Sequence, residues 1–118
     1  MINTPNQTST NKLWTKQYPK QVPAEINISE YENILDLLTE SVQKFSGKTA
    51  FTNFDCTMSY EELNSQSDIF ASYLQNTLGL KKGDRIAIQL PNVMQFPVII
   101  FGALKIGLTV VNTNPLYT

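Results

Sequence analysis

Between residues 29 and 47 the apolar positions recur at the spacing of one face of a helix. Ser29 and Glu32 have the Ser-x-x-Glu spacing of a capping box, and Gly47 supplies a C-terminal stop. The pattern predicts an amphipathic helix between these signals. Its apolar face consists of Ile34, Leu37, Leu38, Val42 and Phe45.

The same signals return further along the chain. Ser59 and Glu62 form a second capping box, and Gly79 ends a second helical pattern. The two patterns are separated by residues 49–53 and 56–60, which are rich in β-formers and flank a turn-like Asn-Phe-Asp sequence. We expect a β-hairpin there, followed by the second helix. The apolar stripe of that helix is Leu63, Phe70, Leu74 and Leu78.

The last third of the chain alternates between strand and helix patterns. A polar turn at 81–84 leads into the apolar run 85–90, which is suited to a buried strand. An apolar helix over about 93–106, with Pro97 near its first turn, is followed by a β-rich run at 108–111. These are the components of a βαβ crossover, which pairs its two strands in parallel. The fold class is therefore α/β.

The two ends of the chain have a different character. Residues 1–28 contain Pro5, Pro19 and Pro23 and no sustained periodicity, so we expect an extended N-terminal arm, with 29–118 as the body. Trp14 and Tyr18 are expected to anchor that arm to the body. A strand and an Asn-Pro turn are the last features before Thr118, and they would leave one sheet face uncovered. The expected fold is thus incomplete.

Composition removes several classes of function. A content of 42% hydrophobic residues supports a packed core, and a net charge of -1 gives no basic face for nucleic acid. With no histidine, Ser-His-Asp and Cys-His catalytic groups cannot form within these residues. A single cysteine, Cys56, allows neither an internal disulfide nor a Cys/His zinc site.

Two features bear on location. Residues 1–11 are polar and lack the apolar core of a secretory signal, and the single cysteine suits a reducing cytoplasm. The window 93–111 approaches the length of a membrane span. A span would bury the charge of Lys105, so a buried helix followed by a strand is the favoured interpretation.

Few residues offer chemistry. Glu61 and Glu62 suit the positive end of a helix dipole, and Lys81 and Lys82 suit a solvated turn, although they could contact a CoA phosphate or an anionic lipid. Cys56 is expected to be a small apolar residue of the hairpin. The turn at 90–95 has no glycine, which disfavours a dinucleotide-binding fingerprint. Gly102 and Gly107 are expected to serve packing and capping.

The motifs resemble those of the adenylate-forming superfamily. Residues 58–63, Met-Ser-Tyr-Glu-Glu-Leu, are similar to its first core motif, and 104–107, Leu-Lys-Ile-Gly, to its second, with isoleucine replacing a small residue. Residues 78–88 and the Pro91-Asn92 turn lie between them, in the family's order and spacing. Two more stretches, 14–26 and 110–118, resemble bacterial long-chain acyl-CoA synthetases.

The resemblance implies a long-chain fatty-acid–CoA ligase as the intact form. Such an enzyme uses ATP, CoA and Mg²⁺ to convert a fatty acid first to an acyl-adenylate and then to a thioester. Its phosphate loop, Mg²⁺-binding carboxylate and catalytic lysine lie beyond the stretch that matches residues 29–118. No catalytic, cofactor-binding or metal-binding residue is therefore transferred to this chain, and no cofactor is expected to bind it alone.

Two other interpretations stay open at this point. The chain could be a non-catalytic remnant or folding subdomain of the same fold. It could also be a peripheral membrane-binding module, an idea based on the aromatic residues of the arm and on Lys81 and Lys82. In the ligase interpretation the partners are a fatty acid, ATP and CoA, with peripheral association on the cytoplasmic face of the membrane.

Overall fold

The computed structural model describes residues 13–116, which divide into two units, one ending at Glu30 and the other beginning at Tyr31. In the first unit a 3₁₀ helix, Leu13–Gln17, is followed by turns. Tyr18 N donates to Thr15 O at 3.2 Å and Val22 N donates to Pro19 O at 2.9 Å. The described part of the arm is therefore turned, and not extended as predicted. The rest of the arm prediction, residues 1–12, lies outside the described residues, as do positions 117 and 118 of the last motif.

The second unit begins with helix α1, Ile34–Phe45. Its N-cap is Asn33, whose Oδ1 accepts from Leu35 N at 2.8 Å and Asp36 N at 3.2 Å. The predicted Ser29–Glu32 capping box is wrong, because asparagine is as good a cap as serine and lies next to the first apolar residue. The stop near Gly47 is confirmed, since the helix ends two residues before it.

A β-hairpin follows α1, as predicted. Strand β1, Thr49–Asn53, pairs antiparallel with strand β2, Cys56–Ser59. Phe54 in the connecting turn has φ +52°, and its side chain is almost fully exposed. A bulky residue in this left-handed region is strained, so the turn is held by the pairing on either side of it.

Helix α2, Tyr60–Ser72, starts directly from β2. It continues as one wide turn, Tyr73–Thr77, in which Leu78 N donates to Tyr73 O at 3.2 Å. Gly79 then adopts φ +67° and ends the element where the sequence predicted. The wide turn shifts the helical phase, which explains why Leu78 is half-exposed while Leu63 and Leu74 are buried.

The βαβ prediction is confirmed. Strand β3, Arg85–Ile88, leads to helix α3, Gln95–Lys105, and then to strand β4, Thr109–Asn112. β3 and β4 pair in parallel, with Arg85 opposite Thr109 and Ile88 opposite Asn112. Pro97 is the third residue of α3, where its missing N–H leaves no helical bond unmade.

Two apolar clusters hold the second unit together. One joins α1, β2 and α2 through Leu38, Met58 and Leu63, and the other joins the end of α2 to α3 through Leu74, Ala103 and Leu108. The α/β class with a hairpin, capped helices and a parallel βαβ unit is confirmed by this arrangement. Within residues 13–116 no helix is long and apolar enough to cross a bilayer.

Candidate functional site

A polar cluster lies where α3 crosses α2. Lys105 Nζ donates to Asp68 Oδ1 at 2.6 Å, Ser67 Oγ at 2.8 Å, and the Asn64 side-chain and backbone oxygens at 2.9 and 3.1 Å. The lysine side chain is 18% exposed and Asp68 is 59% exposed. Ser67 is fully buried, and its hydroxyl donates to Asn64 O at 2.8 Å.

The cluster can form because Gly102, which has no side chain, lets α3 approach α2 closely. A Cβ on Gly102 would lie 2.9 Å from both Ser67 O and Phe70 Cδ1, so a side chain at this position would force the helices apart. Lys105 lies three residues further along α3 and reaches the same stretch of α2. Gly102 is confirmed as a packing glycine.

An open groove of about 570 Å³ borders this cluster, with α1 on its other side. Lys105 has three N–H donors and four oxygens around them, so its charge is neutralised and its donors are used. The geometry therefore assigns the cluster to fixing α3 on α2. The lining residues are Leu35, Leu38, Thr39, Val42, Gln43, Asn64, Asp68 and Lys105.

A second polar region lies at the carboxyl ends of β3 and β4. Thr113 N donates to Ile88 O at 2.9 Å, which extends the strand pairing to this edge. Asn53 Nδ2 of the hairpin donates to Asn92 O at 3.0 Å and fixes the loop after β3. Ligands of open α/β folds bind outside the carboxyl ends of parallel strands, so this edge is the part of the chain best placed to face a substrate.

A mainly apolar cleft of about 240 Å³ adjoins this edge. The β3–α3 loop contributes no glycine between Ile88 and Val93, so its backbone cannot wrap a phosphate as a glycine-rich loop does. The cleft suits an apolar group better than an anion. It is lined by Phe51, Thr52, Asn53, Asn92, Val93, Met94, Phe96 and Pro97.

Glu61 and Glu62 lie in the first turn of α2, as expected for charges that complement a helix dipole. The Ser59–Glu62 capping box is confirmed: Ser59 N donates to Glu62 Oε2 at 2.8 Å, and Glu62 N donates to Ser59 Oγ at 3.1 Å. The backbone N–H of Ser59, with a smaller contribution from its side chain, holds the pKa of Glu62 below its usual range. Glu61 accepts from Ser46 Oγ at 2.9 Å.

The remaining candidate residues lie in a turn, in the hairpin and just after α3. Lys81 and Lys82 are exposed in the turn before β3, where Lys81 N donates to Asp84 Oδ2 at 2.8 Å. Cys56 lies in strand β2 of the hairpin, as expected, and is exposed. Gly107 has φ +75° at the exit of α3, which confirms its capping role. Within residues 13–116 no three carboxylate or cysteine side chains converge as metal ligands would.

The Lys105 cluster was not predicted from the sequence. A signal was present, because Asn64, Ser67 and Asp68 occupy positions i, i+3 and i+4 of one helix face. Helix α3 is apolar apart from its first residue and the lysine at its end, and the polar face of α2 offers that lysine a partner. The partners are 37 to 41 residues away in sequence, however, and local spacing alone does not pair them.

Sequence comparison matches the chain to AMP-binding enzymes. Residues 38–118 match the profile of the AMP-binding enzyme family. A long-chain-fatty-acid–CoA ligase of Escherichia coli O6:H1 is 47% identical over 107 residues, or 91% of this chain and 19% of that protein. The corresponding ligase of Bacillus subtilis is 35% identical over 109 residues, 92% of this chain and 19% of its own length. The chain thus spans about a fifth of these curated relatives.

Solved structures agree with this placement. A benzoate CoA ligase from Burkholderia xenovorans LB400 superposes with a TM-score of 0.68 at 32% identity, covering 75% of this chain and 18% of that one. The N-terminal subdomain of Klebsiella oxytoca NpsA gives 0.67 at 29% identity, covering 70% and 22%. With two thirds of its residues matched to the family profile and this shared fold, the chain belongs to the AMP-binding enzyme family.

Proposed function

We propose that this chain is the amino-terminal part of a long-chain fatty-acid–CoA ligase. The observation that carries the proposal is 47% identity over 91% of the chain to a relative of that name. The benzoate CoA ligase is more distant, at 32% identity over a smaller share of the chain. A long-chain acyl substrate is therefore better supported than an aromatic one.

The proposed reaction has two steps. A fatty acid carboxylate attacks the α-phosphate of ATP, giving an acyl-adenylate and pyrophosphate. The CoA thiol then attacks the acyl carbonyl and releases AMP. Mg²⁺ would neutralise phosphate charge in the first step. Because the family's Mg²⁺-binding carboxylate and catalytic lysine lie beyond the stretch that matches residues 29–118, we assign both to parts of the enzyme outside this chain.

The contribution of these residues is positional. The Ser59–Glu62 cap fixes the start of α2, and the Lys105 cluster fixes α3 on it. Because α3 connects β3 to β4, this fixed crossing sets where the carboxyl ends of both strands lie. We propose that the edge at Ile88 and Asn112 forms one wall of the substrate site in the longer enzyme.

We further propose the arm and body boundary near residues 28 and 29, and a cytoplasmic location with peripheral association on the inner face of the membrane. A fatty acid, ATP and CoA are the proposed partners. The membrane component is consistent with a substrate class that partitions into bilayers.

The test uses a protein of full ligase length that contains this chain. Purified enzyme is incubated with ATP, Mg²⁺ and CoA, together with palmitate, octanoate or benzoate, and the acyl-CoA product and AMP are quantified. We expect palmitoyl-CoA to form fastest, and the 118-residue chain to match a no-enzyme control. Faster turnover of benzoate would contradict the substrate class. Thioester formation by the short chain would contradict the assignment of the catalytic residues elsewhere.

A further inference from the structure

Charge is distributed unevenly along the chain. Residues 1–24 contain Lys12, Lys16 and Lys20 and no aspartate or glutamate. Residues 25–118 contain six lysine or arginine residues against ten carboxylates. The first stretch therefore carries +3 and the remainder -4, which together give the overall net charge of -1. A mildly acidic protein thus begins with a cationic segment, and such asymmetry is typical of contact with an anionic surface.

The same segment exposes large apolar side chains. Trp14 is 60% exposed, Leu13 is 65% exposed, and Tyr18 and Val22 are 42% and 44% exposed. Trp14, Tyr18 and Val22 recur every four residues, as Lys12, Lys16 and Lys20 also do. Apolar and cationic residues are therefore interleaved in the sequence of residues 13–22. Exposed apolar residues grouped in this way mark an interaction surface.

The chemistry of these apolar and cationic side chains fits a lipid surface. Tryptophan and tyrosine combine an apolar ring with a polar N–H or O–H, and they concentrate at the boundary between lipid headgroups and acyl chains. Lysines beside them are attracted to anionic headgroups. The exposed Lys16 and Lys20 lie within a few residues of Trp14 and Tyr18, so both contacts could form together.

The turn at Lys81 and Lys82 is a weaker candidate. Asp84 lies in the same turn and accepts a hydrogen bond from Lys81 N, so a carboxylate offsets part of the positive charge. No aromatic residue lies between Lys81 and Arg85. This turn therefore has cations but lacks the aromatic side chains that bind at the boundary between headgroups and acyl chains.

We propose that residues 13–22 are a docking segment for an anionic lipid bilayer. The proposal extends the peripheral location given under the proposed function and does not depend on the ligase reaction. Failure of lipid binding would leave the assay with palmitate unaffected, and failure of that assay would leave the lipid measurements valid. The two proposals are therefore separable.

The experiment uses the 118-residue chain and its own reporter. Trp14 is the single tryptophan, so indole emission reports on the arm alone. The chain is mixed with vesicles of phosphatidylcholine containing phosphatidylglycerol, and with vesicles of phosphatidylcholine only. Binding is read by sedimentation and by the emission maximum of Trp14. We expect sedimentation and a blue shift with the anionic vesicles, weakened as salt is added.

Two charge-matched variants locate the contact. Lys16→Gln with Lys20→Gln should lower partitioning roughly 25-fold, because each lysine near an anionic surface contributes about fivefold. Lys81→Gln with Lys82→Gln removes the same charge and should bind as the unaltered chain does. Trp14→Ala, which keeps every charge, should also weaken binding in the sedimentation assay.

Three results would overturn the proposal. One is equal loss of binding in the two charge-matched variants, which would show a response to net charge only. Another is equal binding to both kinds of vesicle. The third is a Trp14 emission that is already blue-shifted and protected from a soluble quencher without vesicles. That result would show that the arm packs on protein, either its own body or a second copy.

Discussion

Helices α1 and α3 illustrate two ways in which a helix can be held. At the crossing of α3 with α2, Gly102, Ala103 and Ser67 are buried and backbone approaches backbone. On α1 only Leu38 is buried, and Ile34 and Leu37 keep about half of their surface. Sequence periodicity predicted α1 at least as clearly as α3. Periodicity therefore identifies a helix and its apolar face, whereas small residues and a distant polar partner decide how tightly that face is packed.

The largest expected difference in unfolding free energy is between alanine substitutions of two leucines. Leu63→Ala should cost about 3 kcal/mol of unfolding free energy, because Leu63 is 1% exposed within a closed cluster. Leu37→Ala, at 43% exposure, should cost less than about 1 kcal/mol. Urea unfolding monitored by circular dichroism measures both. Equal costs would show that the α1 face is as well packed as the α2 core.

Two glycines give the next comparison. Gly102→Ala should cost about 2 kcal/mol, since the new methyl would lie 2.9 Å from the carbonyl oxygen of Ser67. Gly47→Ala is the matched control, because nothing lies within 4 Å of its added Cβ. It should change stability by less than about 0.5 kcal/mol. A neutral Gly102→Ala in the same urea titration would mean that the two helices can separate freely.

Two substitutions in the Lys105 cluster distinguish the contribution of hydrogen bonds to stability from that of the ion pair. Lys105→Met keeps the apolar stem but removes the donors that Lys105 supplies to Ser67 and Asn64, so a loss of about 2 kcal/mol is expected. Asp68→Asn keeps an acceptor oxygen and removes only the charge of a well-exposed partner. Its cost should stay below about 1 kcal/mol. If Asp68→Asn proves the more costly variant, the ion pair and not the buried hydroxyl holds the crossing.

The smallest effects are expected at the start of α2. Ser59→Ala removes the acceptor for Glu62 N and should cost about 1 kcal/mol. In a full-length enzyme, activity should fall only as far as the melting temperature explains. Loss of activity with an unchanged melting temperature would instead give Ser59 a chemical role.

The same cap has a pH signature. The pKa of Glu62 is lowered in the folded protein, so its ionised carboxylate stabilises the fold. This stabilisation is fully present above the unfolded pKa of 4.5. Stability should therefore fall as pH drops below 4.5 and through the folded pKa. Glu62→Gln should show a shallower fall over that window in thermal melts. An unchanged slope would mean that other carboxylates account for the acid response.

The sequence predicted most elements of the body because their signals are local. Ser59 and Glu62 lie three residues apart, and their cap formed as predicted. Ser29 and Glu32 have the same spacing, yet Asn33 caps α1, because a local motif does not state which of several neighbouring caps will be used. The partners of Lys105 and the bond from Asn53 to Asn92 were not predicted, since each depends on how separate elements pack.

The contact between Gly83 and Gly107, just before β3 and β4 begin, limits which substitutions this chain can accept in evolution. Gly83 N donates to Gly107 O at 2.9 Å, and both glycines have positive φ. A Cβ on Gly107 would also lie 2.8 Å from Lys82 Cγ. Shortening Lys82 would remove the collision but not the backbone strain, so no single compensating change opens position 107 to a side chain. Among natural variants, position 82 should therefore differ freely while position 107 stays glycine.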